Sequence, residues 1–419
     1  MRRIEELLAR TVKLGASDLH FKTDTGKVYV RILGELRLID DITPMFDEEF
    51  RKEIIEVLRP GQWEKFEEEL ELDFAFEILG VSRFRGNIYM QRGHVQAAFR
   101  VIPYDISTMA DLGLPQACYD FIERPRGLIL VTGPAGSGKS TTLAAMVDHL
   151  NTRTQGHIMT VEDPIEFVHP DKRALINQRE LGEDTLSFNN ALKYVLRQDP
   201  DIILVGEMRD LETIHLAITA AETGHLVFAT LHTVDAVQTI DRIVDVFPTF
   251  QQQQVRMQLS VNLVGIVSQT LVRRKDGRGR AAAFEIMNAT NAVRNLIREN
   301  KSFQISSILQ TGSKQKMQTL DQSLVKMVEQ GIISLEDARH RAKDRGEFDR
   351  LLNYVGNVQA KAVGAAGQVV GPAAAASIPS TAPANPQNQP PIQRQGPPGQ
   401  PNRPIINRPN NDPKKPPQQ

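Results

Sequence analysis

Cysteine is almost missing from this chain: Cys118 is the single thiol in 419 residues. One thiol excludes a disulfide framework and a cysteine-rich zinc site, and a reducing, cytoplasmic setting is the expectation. Cys118 lies in an apolar helical stretch and reads as an inert core thiol. Aromatics make up only 6%, which argues against the stacking platforms of a nucleic-acid groove. Charge of one sign is lacking too. The net charge is −1, so nothing global attracts nucleic acid or anionic lipid. No secretory signal is expected, because residues 1–15 are charged throughout and have no apolar centre. The longest charge-poor run before the tail, 258–272, is broken by Ser260, Asn262, Ser268 and Gln269 and is too polar to span a bilayer. What remains is a chain 41% hydrophobic and 24% charged, suited to two or three domains with real cores.

Residues 1–103 mix strand and helix patterns in separate blocks. Helical spacing covers 2–14, 47–58 and 62–70. Alternation marks strands at 16–21, 27–39, 72–78, 82–91 and 95–102, so a small α+β domain is expected. Residues 104–115 read as a linker. From 116 to 356 strands and helices alternate, with strands at 128–132, 157–161, 201–205 and 226–230 and helices between them. That rhythm predicts a mainly parallel sheet covered on both faces, with ligands at the carboxyl ends of its strands. Further helices are expected at 254–269, 291–299, 302–309, 320–330 and 335–341, with a basic turn and flanking strands over 271–286. Residues 357–419 are rich in Ala, Pro, Gln and Asn; this composition cannot build a core, and a disordered tail is expected.

The most informative stretch follows the first core strand. Gly133-Pro134-Ala135-Gly136-Ser137-Gly138-Lys139-Ser140, continued by Thr141, fits the phosphate-loop pattern G-x-x-x-x-G-K-[ST]. Glycines let backbone N–H groups curl around phosphate oxygens. The helix starting near Lys139 aims its positive end at the same anion. Lys139 would reach the outer phosphates and Ser140 would offer a hydroxyl to Mg²⁺. The pattern therefore predicts binding of a nucleoside triphosphate.

Three other segments end strands of the same sheet. Glu162-Asp163-Pro164-Ile165-Glu166 sets three carboxylates past a strand, where they hold Mg²⁺ or orient water against a γ-phosphate, unless they are a solvated acidic turn. The strand 201–205 ends in Gly206-Glu207, a strand-end acid; nearby Arg209 is read as its structural ion-pair partner, or that of Asp210 or Glu212. His225 and His232 flank one apolar strand, and either can bond a phosphate or a carboxylate. No H-E-x-x-H spacing accompanies them, so metal ligation by the histidines is not expected. In the N-terminal block, Arg83, Arg85 and Arg100 lie on strands. They are either a solvated basic face paired with Asp73 and Glu77, or phosphate-binding arginines supplied from another domain or subunit.

The combination resembles the type IV pilus retraction ATPases, the twitching-motility branch of the secretion ATPase superfamily. The resemblance rests on Gly15-Ala-Ser-Asp-Leu-His20, the phosphate loop, Glu162–Glu166, Leu204-Val-Gly-Glu-Met-Arg-Asp-Leu-Glu-Thr213, Ala221-Glu-Thr-Gly-His225 and Thr230-Leu-His-Thr233. Ile240-Asp-Arg-Ile-Val-Asp-Val-Phe-Pro248 and Asn291-Ala-Val-Arg-Asn-Leu-Ile-Arg-Glu299 complete it, and it covers residues 1–345. It implies a PAS-like N-terminal domain on a RecA-like ATPase core, assembled as a homohexamer. It further implies ATP and Mg²⁺ as cofactors and a position at the cytoplasmic face of the inner membrane, beside a platform protein. Carried onto these positions, Glu166 activates water, Glu207 is the Mg²⁺-linked acid, and His232 with His225 senses the phosphate. Arg85 and Arg100 are the inserted arginines, while Ser140, Glu207, Glu162 and Asp163 are the metal candidates. Val293 stands where isoleucine is usual, a small change on an apolar face. The tail is outside the family pattern.

Three other readings stand beside this one. Assembly and secretion ATPases of the same superfamily commonly carry paired C-x-x-C motifs, which a single cysteine does not allow. A RecA-like nucleic-acid translocase needs a basic channel or stacking aromatics, and the basic run 273–280 is short. An inert nucleotide-binding module would not need both Glu166 and Glu207.

Overall fold

The computed structural model describes residues 2–32, 34–102 and 104–354, and all of them fall in one compact unit. The expected tail 357–419 lies outside the described residues. The N-terminal part opens with helix α1 (Arg3–Lys13). It continues through β1 (Asp18–Lys22), β2 (Lys27–Ile32), β3 (Glu35–Ile39), α2 (Asp47–Val57), α3 (Gln62–Glu69), β4 (Glu71–Ile78), β5 (Ser82–Gln91) and β6 (His94–Ile102). Its strands pair antiparallel in the order β3-β2-β1-β6-β5-β4. One face is packed: Ile4, Leu8, Phe50 and Phe66 of the helices meet Leu19, Phe84, Ile88 and Phe99 of the strands. The opposite face of β1, β6 and β5 carries Asp18, Arg100 and Arg85, with Asp18 opposite Arg100 and Arg85 opposite Arg100 in the ladders.

After α4 (Gln116–Ile122) the second sheet begins with β7 (Gly127–Thr132), α5 (Lys139–Arg153), β8 (His157–Glu162), β9 (Leu175–Glu180), α6 (Phe188–Val195) and β10 (Ile202–Val205). It continues with α7 (Leu211–Glu222), β11 (Leu226–Leu231), α8 (Ala236–Asp245), α9 (Thr249–Asn262), β12 (Leu263–Arg273) and β13 (Arg280–Asn288). Helices α10 (Asn291–Arg298), α11 (Ile305–Thr311), α12 (Leu320–Glu329) and α13 (Leu335–Arg341) follow. The strand order is β13-β12-β7-β11-β10-β8-β9, parallel except for the edge strand β13. This is the mixed α/β class expected from the alternation.

Burial on both faces explains the near-continuous apolar strands. Within β7, Leu128 and Leu130 join α7 and α9 in one core, while Ile129 and Val131 join α4 and α5 in the other. Cys118 is in that second core, and burial pushes its thiol up to about 12, as an inert core thiol should be.

Two expectations are corrected. The helix expected over 254–269 ends at Asn262, and Leu263 begins a strand. The apolar run Leu-Val-Gly-Ile-Val is buried on both faces, and such a run has no period that separates helix from strand. Strand β9 was not foreseen: Leu175–Glu180 is a mostly polar edge strand with little apolar alternation. Gly265 makes the α4–β12 approach possible, since a Cβ there would overlap the ring of Phe121. Gly265→Ala should lower unfolding stability by about 1–3 kcal/mol, measured as a shift of the urea midpoint; an unchanged midpoint would contradict this packing.

Candidate active site at the sheet edge

Parallel strands release the chain at one edge. The turns after β7, β8, β10 and β11 therefore meet, and each carries one of the segments singled out above. Gly206 N–H donates to Val161 O at 2.8 Å and Met208 N–H to Thr230 O at 3.0 Å. Thr230 Oγ1 donates to Gly206 O at 2.5 Å. These bonds tie the turn after β10 to both neighbouring strands and hold Glu207 between them.

The phosphate loop closes over the end of β7. Gly133, Gly136 and Gly138 all have positive φ. A Cβ on Gly133 would overlap Gln269 O and Ser137 Oγ, so only glycine allows this approach. Strand β12 clamps the loop: Gln269 Nε2 donates to Ser137 O at 2.6 Å, and Thr142 Oγ1 donates to Gln269 Oε1 at 2.8 Å. Lys139 Nζ donates to Gly133 O at 2.9 Å and Pro134 O at 3.3 Å. Burial lowers the Lys139 pKa, while Glu207 and Glu166 oppose that shift. Ser137 Oγ is buried with no hydrogen-bond partner among the described residues. An orphan hydroxyl, positive-φ glycines and the N-terminus of a long helix together form a fitting cradle for phosphate oxygens.

A cavity of about 520 Å³ opens beside the loop. Ala135, Gly136, Gly138, Lys139, Ser140 and Thr141 line one wall; Glu162, Asp163, Glu166, Glu207 and His232 line the other. Gly133, Pro134 and Ser137 belong to the loop without lining the cavity; Gly133 and Ser137 are buried and Pro134 is exposed. Glu207 Oε1 is 3.1 Å from His232 Nε2, and its Oε2 is 2.9 Å from Arg209 Nη2. Arg209 also reaches Asp163 at 3.3 Å, so it bridges two acids of the site, whereas Asp210 caps α7 instead. Glu162 Oε1 accepts from Thr160 Oγ1 at 2.6 Å and Gln178 Nε2 at 3.0 Å. That leaves Glu166, exposed on the cavity wall, as the acid of this segment without a competing side-chain partner among the described residues.

Arg100 lines the same cavity and comes from the N-terminal sheet of its own chain; the sequence leaves another domain and another subunit both open as its source. Asp18, its ladder partner, holds Arg100 Nε at 2.9 Å. Arg85 does not reach the cavity; it is exposed and 4.0 Å from Asp73. His225 is also not brought in. Its carbonyl accepts Gly127 N–H at the amino edge of β7, and its Nδ1 lies 2.9 Å from Ala220 O. The intervening strand sets His225 roughly 20 Å from His232, at about 3.3 Å per residue. Arg83 turns elsewhere, onto Glu180 of β9 at 2.7 Å, rather than onto Asp73 or Glu77. Sequence reasoning missed Arg280, His169 and Phe167, which also line the cavity. Arg280 ends the basic run already noted, but only the β12–β13 hairpin returns it to the loop. Burial pushes His169 down to about 4 and keeps it neutral.

Burial pushes the Glu162 carboxyl up to about 7, against hydrogen bonds from Thr160, Gln178 and the Glu166 amide. Its ordinary value is 4.5, so between these limits the native chain keeps a proton that the unfolded chain has lost. Stability should therefore fall as pH rises from about 5 to about 7 and then level off. Glu162→Gln should flatten that slope and become relatively more stable than the wild type as pH rises, measured by unfolding midpoints between pH 5 and 8. Parallel curves for the two proteins would contradict the protonated state.

The profile of the type II/IV secretion system protein family matches residues 98–340. The type IV pilus retraction ATPase PilT of Pseudomonas aeruginosa is 53% identical over 340 residues, covering 81% of this chain and 98% of that protein. A twitching motility protein of Neisseria gonorrhoeae is 52% identical, covering 75% and 84% respectively. The crystal structure of the pilus retraction motor PilT with bound ADP superimposes with a TM-score of 0.78 at 48% identity, covering 83% of this chain and 99% of that one. This chain belongs to the type II/IV secretion system protein family, among the relatives of the pilus retraction ATPases.

Proposed function

We propose that this protein is an ATP-hydrolysing motor that powers type IV pilus retraction, working as a homohexamer at the cytoplasmic face of the inner membrane against a platform protein. The convergence of Lys139, Glu166, Glu207 and His232 on one cavity beside the phosphate loop carries the reading. The relatives named above, one of them solved with ADP, support it. No helix among the described residues is long and apolar enough to cross a membrane, which fits a motor that acts on membrane machinery from outside the bilayer. Residues 1–103 and 116–356 are read as two domains joined by 104–115.

In this reading the triphosphate lies along the loop. Backbone N–H groups, the start of α5 and Lys139 neutralise its oxygens. Glu166 takes a proton from water as the water oxygen bonds to the γ-phosphorus; the bond to the β,γ-bridging oxygen breaks and ADP leaves with the electron pair. Arg100 offsets charge on the γ-phosphoryl group. Glu207 is oriented by His232 and Arg209, so a change at the phosphate is felt by the turn after β11. Ser140 and Glu207 line the cavity and would hold Mg²⁺, which would supply further charge neutralisation. Glu162, held by Thr160 and Gln178, and Asp163, held by Arg209, are assigned to shaping the loop rather than to the ion.

Lys139→Ala should abolish nucleotide binding, measured with a fluorescent ATP analogue. Glu166→Gln should bind ATP but turn it over about 10²–10⁴-fold more slowly; full turnover would remove it as the base. In cells, deletion should leave many pili that do not retract. Cells without pili would assign the motor to assembly instead.

A further inference from the structure

We propose that Arg83 and Glu180 are positioning residues for the Glu166 turn, so that the N-terminal sheet sets the geometry of hydrolysis through one buried carboxylate. The inference rests on the assignment of Glu166 above. Glu180 ends β9, beside Glu162 in the β8–β9 ladder. Its Oε2 accepts Arg83 Nη2 at 2.7 Å and the Ile165 N–H at 3.3 Å. Ile165 immediately precedes Glu166 and is itself buried. One oxygen therefore joins β5 of the N-terminal sheet to the backbone that carries the acid.

The pair is well removed from water: the Glu180 side chain is 6% exposed and that of Arg83 is 18% exposed. Glu180 is fixed from its other side as well, since its N–H donates to Asp184 Oδ2 at 2.9 Å. Arg59 reaches Glu183 close by, extending the contact between the two sheets. Arg83 Nε is buried without a partner among the described residues, an expense that stability alone would select against. The geometry instead suits a pair kept for position. When Arg83 withdraws, Glu180 loses its counter-charge, and the acceptor that holds Ile165 is no longer fixed.

The test uses the full chain with Arg83→Gln, Glu180→Gln, the double variant and Arg83→Lys. In each glutamine variant kcat should fall roughly 10- to 100-fold, the scale of a displaced catalytic group. KM for ATP and ADP affinity should stay within about twofold. The double variant should be no slower than the slower single one, and Arg83→Lys should recover part of the rate. Deuterium exchange at the 165–167 amides should quicken in the glutamine variants and stay near wild type in Arg83→Lys. Wild-type kcat in the single variants, multiplicative losses in the double, or a parallel loss of ADP affinity would overturn the proposal. If the wild type proves unable to hydrolyse ATP, the functional reading fails separately; the exchange at 165–167 still decides whether the pair holds the turn.

Discussion

The ladders that join β8, β10, β11 and β7 all run one way, and the chain must leave every one of these strands at the same edge. That shared edge brings residues 133, 162, 207 and 232 together, although about a hundred positions separate the first from the last. Each strand is buried on both faces, so a slip of one residue would move large side chains from one packed layer to the other. Register is thus enforced by the two cores, and the polar turns inherit that precision. The neighbours of β10 add three hydrogen bonds around Gly206, and these fix the strand-end acid where sequence alone supplies only its type.

Electrostatics at this edge is a balance rather than a sum of pairs. Lys139 is desolvated beneath the loop, which weakens its hold on a proton, while Glu207 and Glu166 strengthen it. Glu207 in turn divides its two oxygens between His232 and Arg209. A polyanion entering the cavity adds negative charge to a wall that already carries Asp163, Glu166 and Glu207. The cations facing it come from separate elements: Lys139 from α5, Arg280 from β13 and Arg100 from the N-terminal sheet. Charge neutralisation therefore depends on elements that packing must hold in place, and the position of the N-terminal sheet becomes part of the chemistry.

Local patterns made much of this readable. The phosphate loop, the strand-end acid Glu207 and the acidic turn are each contiguous in sequence, and α/β alternation was enough to put them at strand ends. What stayed hidden depends on distance along the chain or on direction. His225 and His232 looked alike as strand-flanking histidines; only strand polarity separates them, since one end of β11 faces the loop and the other does not. Arg280 needs the return of a hairpin whose first strand, β12, reads over 263–269 as the end of a helix and only from 271 as a strand. Arg83 and Arg85 share a sheet face by alternation, yet one meets a carboxylate of β9 and the other stays exposed, a difference set by how the two sheets meet. Strand β9 escaped notice because an edge strand with polar residues lacks the apolar rhythm that marks its neighbours.

A buried arginine–carboxylate pair seldom stabilises a fold more than well-packed apolar residues of similar size, because desolvating both ions offsets their attraction. Breaking one side of such a pair, however, costs about 3–5 kcal/mol. The asymmetry makes the Arg83–Glu180 contact a poor source of net stability but a sharp constraint on geometry. The same oxygen also holds Ile165 N–H, so the constraint falls on the turn that carries Glu166. Motion of one sheet relative to the other cannot relax that contact gradually. It either keeps the carboxylate satisfied or leaves it as an unpaired charge in a dry place, and a two-valued contact of that kind can couple a mechanical displacement to a chemical step.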